Sequence, residues 1–323
     1  MLNPLTVCPL CRRQVVSHPL EARGHTVRHE CGGCGVQFWW PSKRADAYWY
    51  GMSGSTTADW NDSLLRPGHQ RFLKNHPLRS GSLLDIGCGH GLFLDQVRQH
   101  LALDVWGLDW DRGAVEFGRR MRKLNHLFDT SLEDFANTTG QTQFDGITLF
   151  EVLEHQEDPV AFLRQTLGLL KPQGLVAGSV PNRDRLVVGR REEWDYPPQH
   201  VLWFHARSLE QLLRAAGLQR IRIWTLVDAR VLINQIMARW SFGLASHLVA
   251  MPPPGPSTAA DLSYTEWQTL KGRTSPIGYR ITTTLKTLML SPVWLVALAG
   301  VGLRPSTRHV LYFEAYRPGD CGG

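Results

Sequence analysis

Between about residue 81 and residue 227, short apolar runs alternate with stretches whose apolar positions recur every three or four residues. The runs predict β-strands at 82–86, 104–109, 144–150, 174–180 and 221–227; the periodic stretches predict helices at 91–100, 113–124, 158–170 and 207–216. The third helix opens on Asp158-Pro159, a capping residue with proline at the first helical position, and ends in Lys171-Pro172-Gln173-Gly174, a turn signal. Strands and helices in this rhythm predict an α/β domain, a doubly wound and mostly parallel sheet.

On either side the pattern changes. Residues 1–40 hold two cysteine pairs, and 41–80 form a connector with Tyr48, Trp49, Tyr50 and Trp60. After the core at 81–227 comes an apolar helical insertion at 228–307. In it, Ile233, Ile236, Met237, Trp240, Leu244 and Leu248 make one stripe at helical spacing, and Thr287–Leu303 carries no charge. Residues 308–323 read as a closing strand and tail.

With 43% hydrophobic and 20% charged residues, the 323-residue chain can bury an ordinary core, which excludes a disordered or fibrous protein. Lysine and arginine exceed aspartate and glutamate by 35 to 29. That mild excess forms no dense basic run, which argues against nucleic acid as partner. The first residues show no basic segment leading into an apolar one, so the expected location is cytoplasmic. The apolar run at 287–303 is too short for a confident span. Residues 230–303 could instead lie on the cytoplasmic membrane surface, pack on the core or build a homodimer.

Cys8-x-x-Cys11 and Cys31-x-x-Cys34 are separated by 19 residues, a zinc-ribbon spacing in which four thiolates can converge on one ion. A closed four-cysteine shell leaves no position for water, so the expected zinc is structural.

Leu83-Leu84-Asp85-Ile86-Gly87-Cys88-Gly89-His90-Gly91 lies where a strand meets a helix. Glycine there lets backbone approach a ligand closely. Asp109 ends the next strand, 22 residues after Gly87, where a carboxylate can accept both hydroxyls of a ribose. A dinucleotide fingerprint would place its third glycine or an alanine at 92, but that residue is Leu92. Asp85 would also repel a pyrophosphate and attract a cation. The loop therefore favours a sulfonium nucleoside over a nicotinamide dinucleotide.

Residues 83–91, Asp109, Phe150-Glu151-Val152-Leu153-Glu154-His155 and Leu170–Gly174 together resemble the ordered motifs of class I S-adenosylmethionine (SAM) methyltransferases. The resemblance implies a Rossmann-like fold with SAM as cofactor. It places Asp85, Gly87, Gly89 and Gly91 around the methionine part and Asp109 on the ribose. Trp110, Leu132 and Glu133 would flank the adenine, and Phe150 and Glu151 would close the pocket. His90 stands where serine or threonine is commoner.

Glu151, Glu154 and His155 further resemble the Glu-x-x-Glu-His pattern of quinone-biosynthesis O-methyltransferases, which implies a divalent metal near the acceptor; the alternative is a helix cap. His155, His200 and His205 are the candidate bases, His200 preferred, with Trp194 and Tyr196 as candidate walls of the acceptor site. The ribbon also resembles that of bacterial sugar C-methyltransferases. The expected reaction is methyl transfer to an oxygen or carbon of a small metabolite, sugar or lipid-linked intermediate. The alternatives are a zinc-ribbon ribosomal RNA methyltransferase and a non-catalytic interaction module.

Overall fold

The computed structural model describes residues 6–15, 19–41, 65–75, 77–138, 143–185, 191, 195–228 and 308–319. The expectations for the connector aromatics, for Trp194 and for the insertion, with its membrane and dimer readings, fall outside these residues. Among the described residues, no helix is long and apolar enough to cross a membrane.

Seven strands form the main sheet: β6 (Ser80–Ile86), β7 (Ala102–Asp109), β8 (Leu127–Asp129), β9 (Phe144–Phe150), β10 (Leu170–Pro181), β12 (Gln219–Leu226) and β13 (Val310–Tyr316). Their spatial order is β12-β13-β10-β9-β6-β7-β8. All described neighbours pair in parallel except β13, which runs antiparallel to both β10 and β12. The central strands are apolar on both faces because helices cover both: Ile147 and Val176 are buried on one face, Leu175 and Ala177 on the other.

Six helices complete the described residues of this domain: α1 (Pro67–Asn75), α2 (Leu92–His100), α3 (Arg112–Met121), α4 (Leu132–Thr138), α5 (Pro159–Gly168) and α6 (Ala206–Ala215). Asp111 caps α3 by accepting from the Ala114 N–H, and Asp158 caps α5 by accepting from Ala161. The Lys171–Gly174 turn lies inside β10 rather than before it. The register shifts between Leu170 and Leu175, and Gln173 takes a positive φ of 62°, so the turn is a bulge within a longer strand.

The cysteine module adds two small sheets. Strands β1 (Thr6–Val7) and β2 (Gln14–Val15) form a hairpin. Strands β3 (Glu21–Arg23), β4 (Thr26–Glu30) and β5 (Gln37–Trp40) form an antiparallel meander. Its outer edge, β5, is completed by β11 (Leu202–Trp203), contributed by the methyltransferase-like domain just before α6. One sheet therefore belongs to both parts of the chain.

Candidate active site

Strand β6 is flanked by β7 on one side and β9 on the other, so the chain's connections diverge there and leave a crevice at the carboxyl ends of the strands. The turn after β6 fills its floor. Gly87 and Gly89 have φ of 82° and 53°, values that side chains resist, and a Cβ on Gly87 would meet Val152 Cγ2 at 2.6 Å. No neighbour lies within 4 Å of a Cβ built on Gly89, so its face is open. Gly91, also at positive φ, starts α2.

A cavity of about 270 Å³ lies above this turn. Its walls include Gly87, Asp109, Trp110, Leu132, Glu133 and Glu151, together with His155 from the far side. Asp109 accepts from the Gly89 N–H at 2.7 Å and from the Asp111 N–H at 2.8 Å, which orients both carboxylate oxygens before any ligand arrives. Burial raises its pKa. Asp85 sits behind the turn, fully buried, where Thr148 donates to it at 2.7 Å. Burial pushes Asp85 up to about 7, against the Thr148 hydrogen bond, and the nearby Asp109 adds to the rise. Such a carboxyl is poised to ionise beside an arriving cation.

One expected wall residue, Phe150, and the unusual His90 are used elsewhere. Phe150 packs edge-on against Phe93 and the His69 ring, at centroid distances of 4.8 and 4.4 Å, and does not line the cavity. His90 turns toward α3, accepting from Arg122 Nε at 3.3 Å.

On the other side of the crevice, Leu153–His155 form a single 3₁₀ turn instead of a helical face. Glu151 precedes it at φ 57°, and its carboxylate accepts from Ser179 Oγ at 2.7 Å. It therefore does not join Glu154 and His155, and the expected Glu151–Glu154–His155 metal set is corrected to Glu154, His155 and His200. One ligand atom from each of these three lies within 4.8 Å of the others.

Their protonation follows from their partners. His155 Nδ1 is 2.7 Å from the Gln199 carbonyl, which can only accept, so Nδ1 carries the proton and Nε2 its lone pair. His200 Nδ1 is 3.4 Å from the Asp195 carboxylate, so this Nδ1 also carries a proton. Both Nε2 atoms face Glu154 Oε1, at 3.9 and 4.0 Å. Burial, with His200 opposite, holds His155 down at about 3 and hence neutral. Burial and the neighbouring Glu151 raise the Glu154 pKa, and neither of its buried side-chain oxygens has a hydrogen-bond partner. The neutral His155 imidazole, the His200 ring and a carboxyl with no hydrogen-bond partner make a donor set suited to a divalent cation or a shared proton.

His205 does neither. Its Nδ1 accepts from the Ser208 N–H at 2.9 Å, capping α6, and its ring abuts Gly35 of the cysteine module. It is a helix cap, which removes it from the candidate bases. Tyr196 packs with Trp39 and Trp203 under the Arg23 guanidinium. Asp195 was not anticipated: Arg185 binds it in a buried ion pair while it orients His200. An isolated acid in a loop carries no spacing signal that could have marked it.

The four cysteine sulfurs also converge, with Cys8–Cys34 and Cys11–Cys31 both at 3.5 Å. Thiolates 2.3 Å from one tetrahedral ion would lie about 3.8 Å apart. Hydrogen bonding from Cys34 lowers the Cys8 thiol to about 5, while burial raises that of Cys11.

Comparison with known proteins agrees with this geometry. A family model described as a methyltransferase domain matches residues 58–223. A ubiquinone biosynthesis O-methyltransferase from Ruegeria pomeroyi is 38% identical over 182 residues, 51% of this chain and 68% of that protein. The one from Neisseria meningitidis serogroup C is 32% identical over 126 residues, 37% of this chain, and the chain spans only 52% of its length. Among solved structures, phosphoethanolamine N-methyltransferase 2 of Haemonchus contortus, in complex with S-adenosyl-L-methionine, shares the fold: TM-score 0.52 at 16% identity, over 90% of this chain and 71% of that one. Matched over half its length, with the sheet order and glycine turn in place, this chain belongs to the methyltransferase-domain family, in its class I SAM-dependent branch.

Proposed function

We propose that this chain moves a methyl group from SAM to an oxygen of a small-molecule acceptor seated between the glycine-turn cavity and the Glu154–His155–His200 cluster. SAM supplies an electrophilic methyl on a good leaving group. The chain's own work is then to bind, to orient and to take a proton. Asp109 would hold the ribose hydroxyls, Trp110, Leu132 and Glu133 the adenine, and the open face of Gly89 the methionine end. Asp85 would balance the positive charge.

The observation that carries the acceptor side is the convergence of the His155 and His200 Nε2 atoms on one buried carboxyl, at 3.9 and 4.0 Å. His155 both lines the cavity and belongs to that cluster. As the acceptor oxygen bonds to the methyl carbon and the carbon–sulfur bond breaks, the hydroxyl proton would pass to His200 Nε2. A divalent ion held by Glu154, His155 and His200 would occupy that Nε2 lone pair; it would then lower the pKa of the hydroxyl itself, and the proton would leave to solvent in place of His200. The Ruegeria relative's name supports an oxygen acceptor, and a quinone precursor is the first class to assay; sugars and lipid-linked intermediates follow.

The cysteine module would hold structural zinc, for which its sulfur spacing is the support. The β5 edge of the cysteine module is taken up by β11 and is therefore not open to RNA, which favours a small acceptor.

The test is calorimetric titration with SAM, followed by methyl-transfer assays on catechol-type, sugar and lipid-linked hydroxyl compounds with and without divalent cation. SAM binding with turnover on a hydroxyl acceptor supports the reading. SAM binding with turnover on RNA alone, or no SAM binding by a folded chain, overturns it.

A further inference from the structure

The module's contacts suggest what zinc would do for the rest of the chain. A unit with two-residue strands β1 and β2 and a three-residue β3 cannot bury a core of its own. Its order must come from an ion, from docking, or from both.

The second cysteine turn leads directly into the docking edge. The Gly35 N–H donates to the Cys31 carbonyl at 2.7 Å, and the Cys31 N–H donates to the Val36 carbonyl at 2.9 Å. Those bonds set the exit angle of the chain into β5. Strand β5 then pairs with β11, Phe38 opposite Leu202 and Gln37 opposite Trp203, and the Trp39 N–H donates to the Val201 carbonyl at 3.1 Å.

The same short segment holds the acceptor cluster. The Val201 N–H donates to the Glu154 carbonyl at 3.0 Å, the Gln199 carbonyl fixes the His155 tautomer, and His200 itself lies between them. Peptide groups of residues 199–203 thus face β5 on one side and the Leu153–His155 turn on the other. Two further contacts clamp the turn to the domain. Arg183 donates to the Gly35 carbonyl at 2.6 Å, and a Cβ on Gly35 would sit 2.5 Å from His205 Nε2. Among the described residues, the glycine-turn cavity has no wall from the module.

We propose that zinc at Cys8, Cys11, Cys31 and Cys34 positions the Glu154–His155–His200 cluster through the β5–β11 pairing, leaving the SAM cavity independent of the metal. The module is a positioning element for acceptor chemistry, and Trp39 and Val201 are the residues that transmit it. This inference rests on the zinc and methyl-transfer readings above.

The test uses the full chain. Zinc content is measured first, and cobalt substitution checks for thiolate ligation. Zinc is then withdrawn with a chelator while amide exchange at Trp39 and Val201, SAM affinity and turnover are followed. Expected are a loss of protection of about 10²-fold at both amides, a fall in turnover of about 10²-fold, and SAM affinity unchanged within about twofold.

Val201→Pro, which deletes the N–H donated to Glu154, should reproduce the turnover loss and shift its pH profile while zinc and SAM stay bound. Unchanged amide protection after zinc leaves, or normal turnover and pH profile in Val201→Pro, overturns the coupling while the zinc reading stands. Loss of SAM binding together with zinc also overturns it, because the module would then serve overall stability. A thiol site that takes up no zinc brings down the zinc reading and this inference together, and metal analysis identifies that outcome before any exchange is measured.

Discussion

The two halves of the crevice are built on different principles. The cofactor half comes from contiguous segments at strand ends: Gly87 and Gly89 follow β6, and Asp109 ends β7. Its hydrogen bonds are made before any ligand arrives, since Asp109 already holds the Gly89 and Asp111 amides. The half proposed for the acceptor comes from a 3₁₀ turn and a loop 44 residues further on, and it contains a carboxyl with no hydrogen-bond partner at either oxygen. One half is satisfied without its ligand and the other is not. Buried unpaired carboxyl oxygens are costly, and the acceptor half retains them where a cation or proton would be placed.

The sharpest way to break this contrast is His200→Ala. Removing a positioned base should lower turnover by about 10²–10⁴-fold, with SAM affinity within about twofold, because His200 lies outside the cavity wall. Calorimetry and single-turnover kinetics check both. An equal loss of SAM affinity would merge the halves and remove His200 from the acceptor side.

Asp109→Ala attacks the other half. It deletes the two backbone hydrogen bonds and the expected ribose contacts, and hydrogen bonds to a charged group contribute roughly 1.5–3 kcal/mol each. SAM affinity should fall by about 10²-fold, while the proposed Glu154–His155–His200 site should keep the manganese affinity measured for the unaltered chain. Loss of both in a folded variant would contradict the separation.

What the sequence discloses follows the same division. The glycine turn, Asp109 and the Asp158 cap are local: their function depends on neighbours within a few residues, so spacing reveals them. Strand β8 and α4 were not anticipated, since three- and seven-residue elements carry too few apolar positions to show a period. They are held by an aromatic stack of Trp106, Phe128, Phe135 and Phe144 that forms only in the fold. The replacement of Glu151 by His200 in the donor set is of the same kind. Residue spacing suggested a helical face, but the positive φ at Glu151 turns its side chain to Ser179. Asp195 became meaningful only when its loop brought it to His200 and Arg185.

A pH experiment sharpens the cofactor half further. Asp85 titrates at about 7 in the folded chain, above its ordinary value, because burial favours the neutral acid. The folded chain therefore keeps this proton to higher pH than the unfolded one. Ionisation removes stability as pH rises from the ordinary carboxylate range through about 7. A bound cation favours the carboxylate, so SAM affinity should increase as pH rises toward 7, with proton release on binding. The affinity gain should approach tenfold per pH unit below that value. Calorimetry in buffers of different ionisation heat measures the released proton, and Asp85→Asn should abolish both the release and the slope.

The smallest effect tests the boundary between cap and base. His205 accepts from Ser208 to close the first turn of α6, and Ser208 Oγ in turn accepts from the His205 N–H at 3.0 Å. Losing a cap costs about 1 kcal/mol, so His205→Ala should lower Tm by about 2–4 °C. SAM affinity should be untouched. Because the ring also abuts Gly35, a modest fall in turnover is compatible with a slight shift of the cysteine turn. The size of the turnover loss is what decides: a cap touches no reacting atom, so single-turnover rates should stay within about tenfold in His205→Ala and fall by about 10²–10⁴-fold in His200→Ala. If the larger loss follows His205 instead, the base has been placed on the wrong side of β11, and the acceptor would have to lie against the cysteine module.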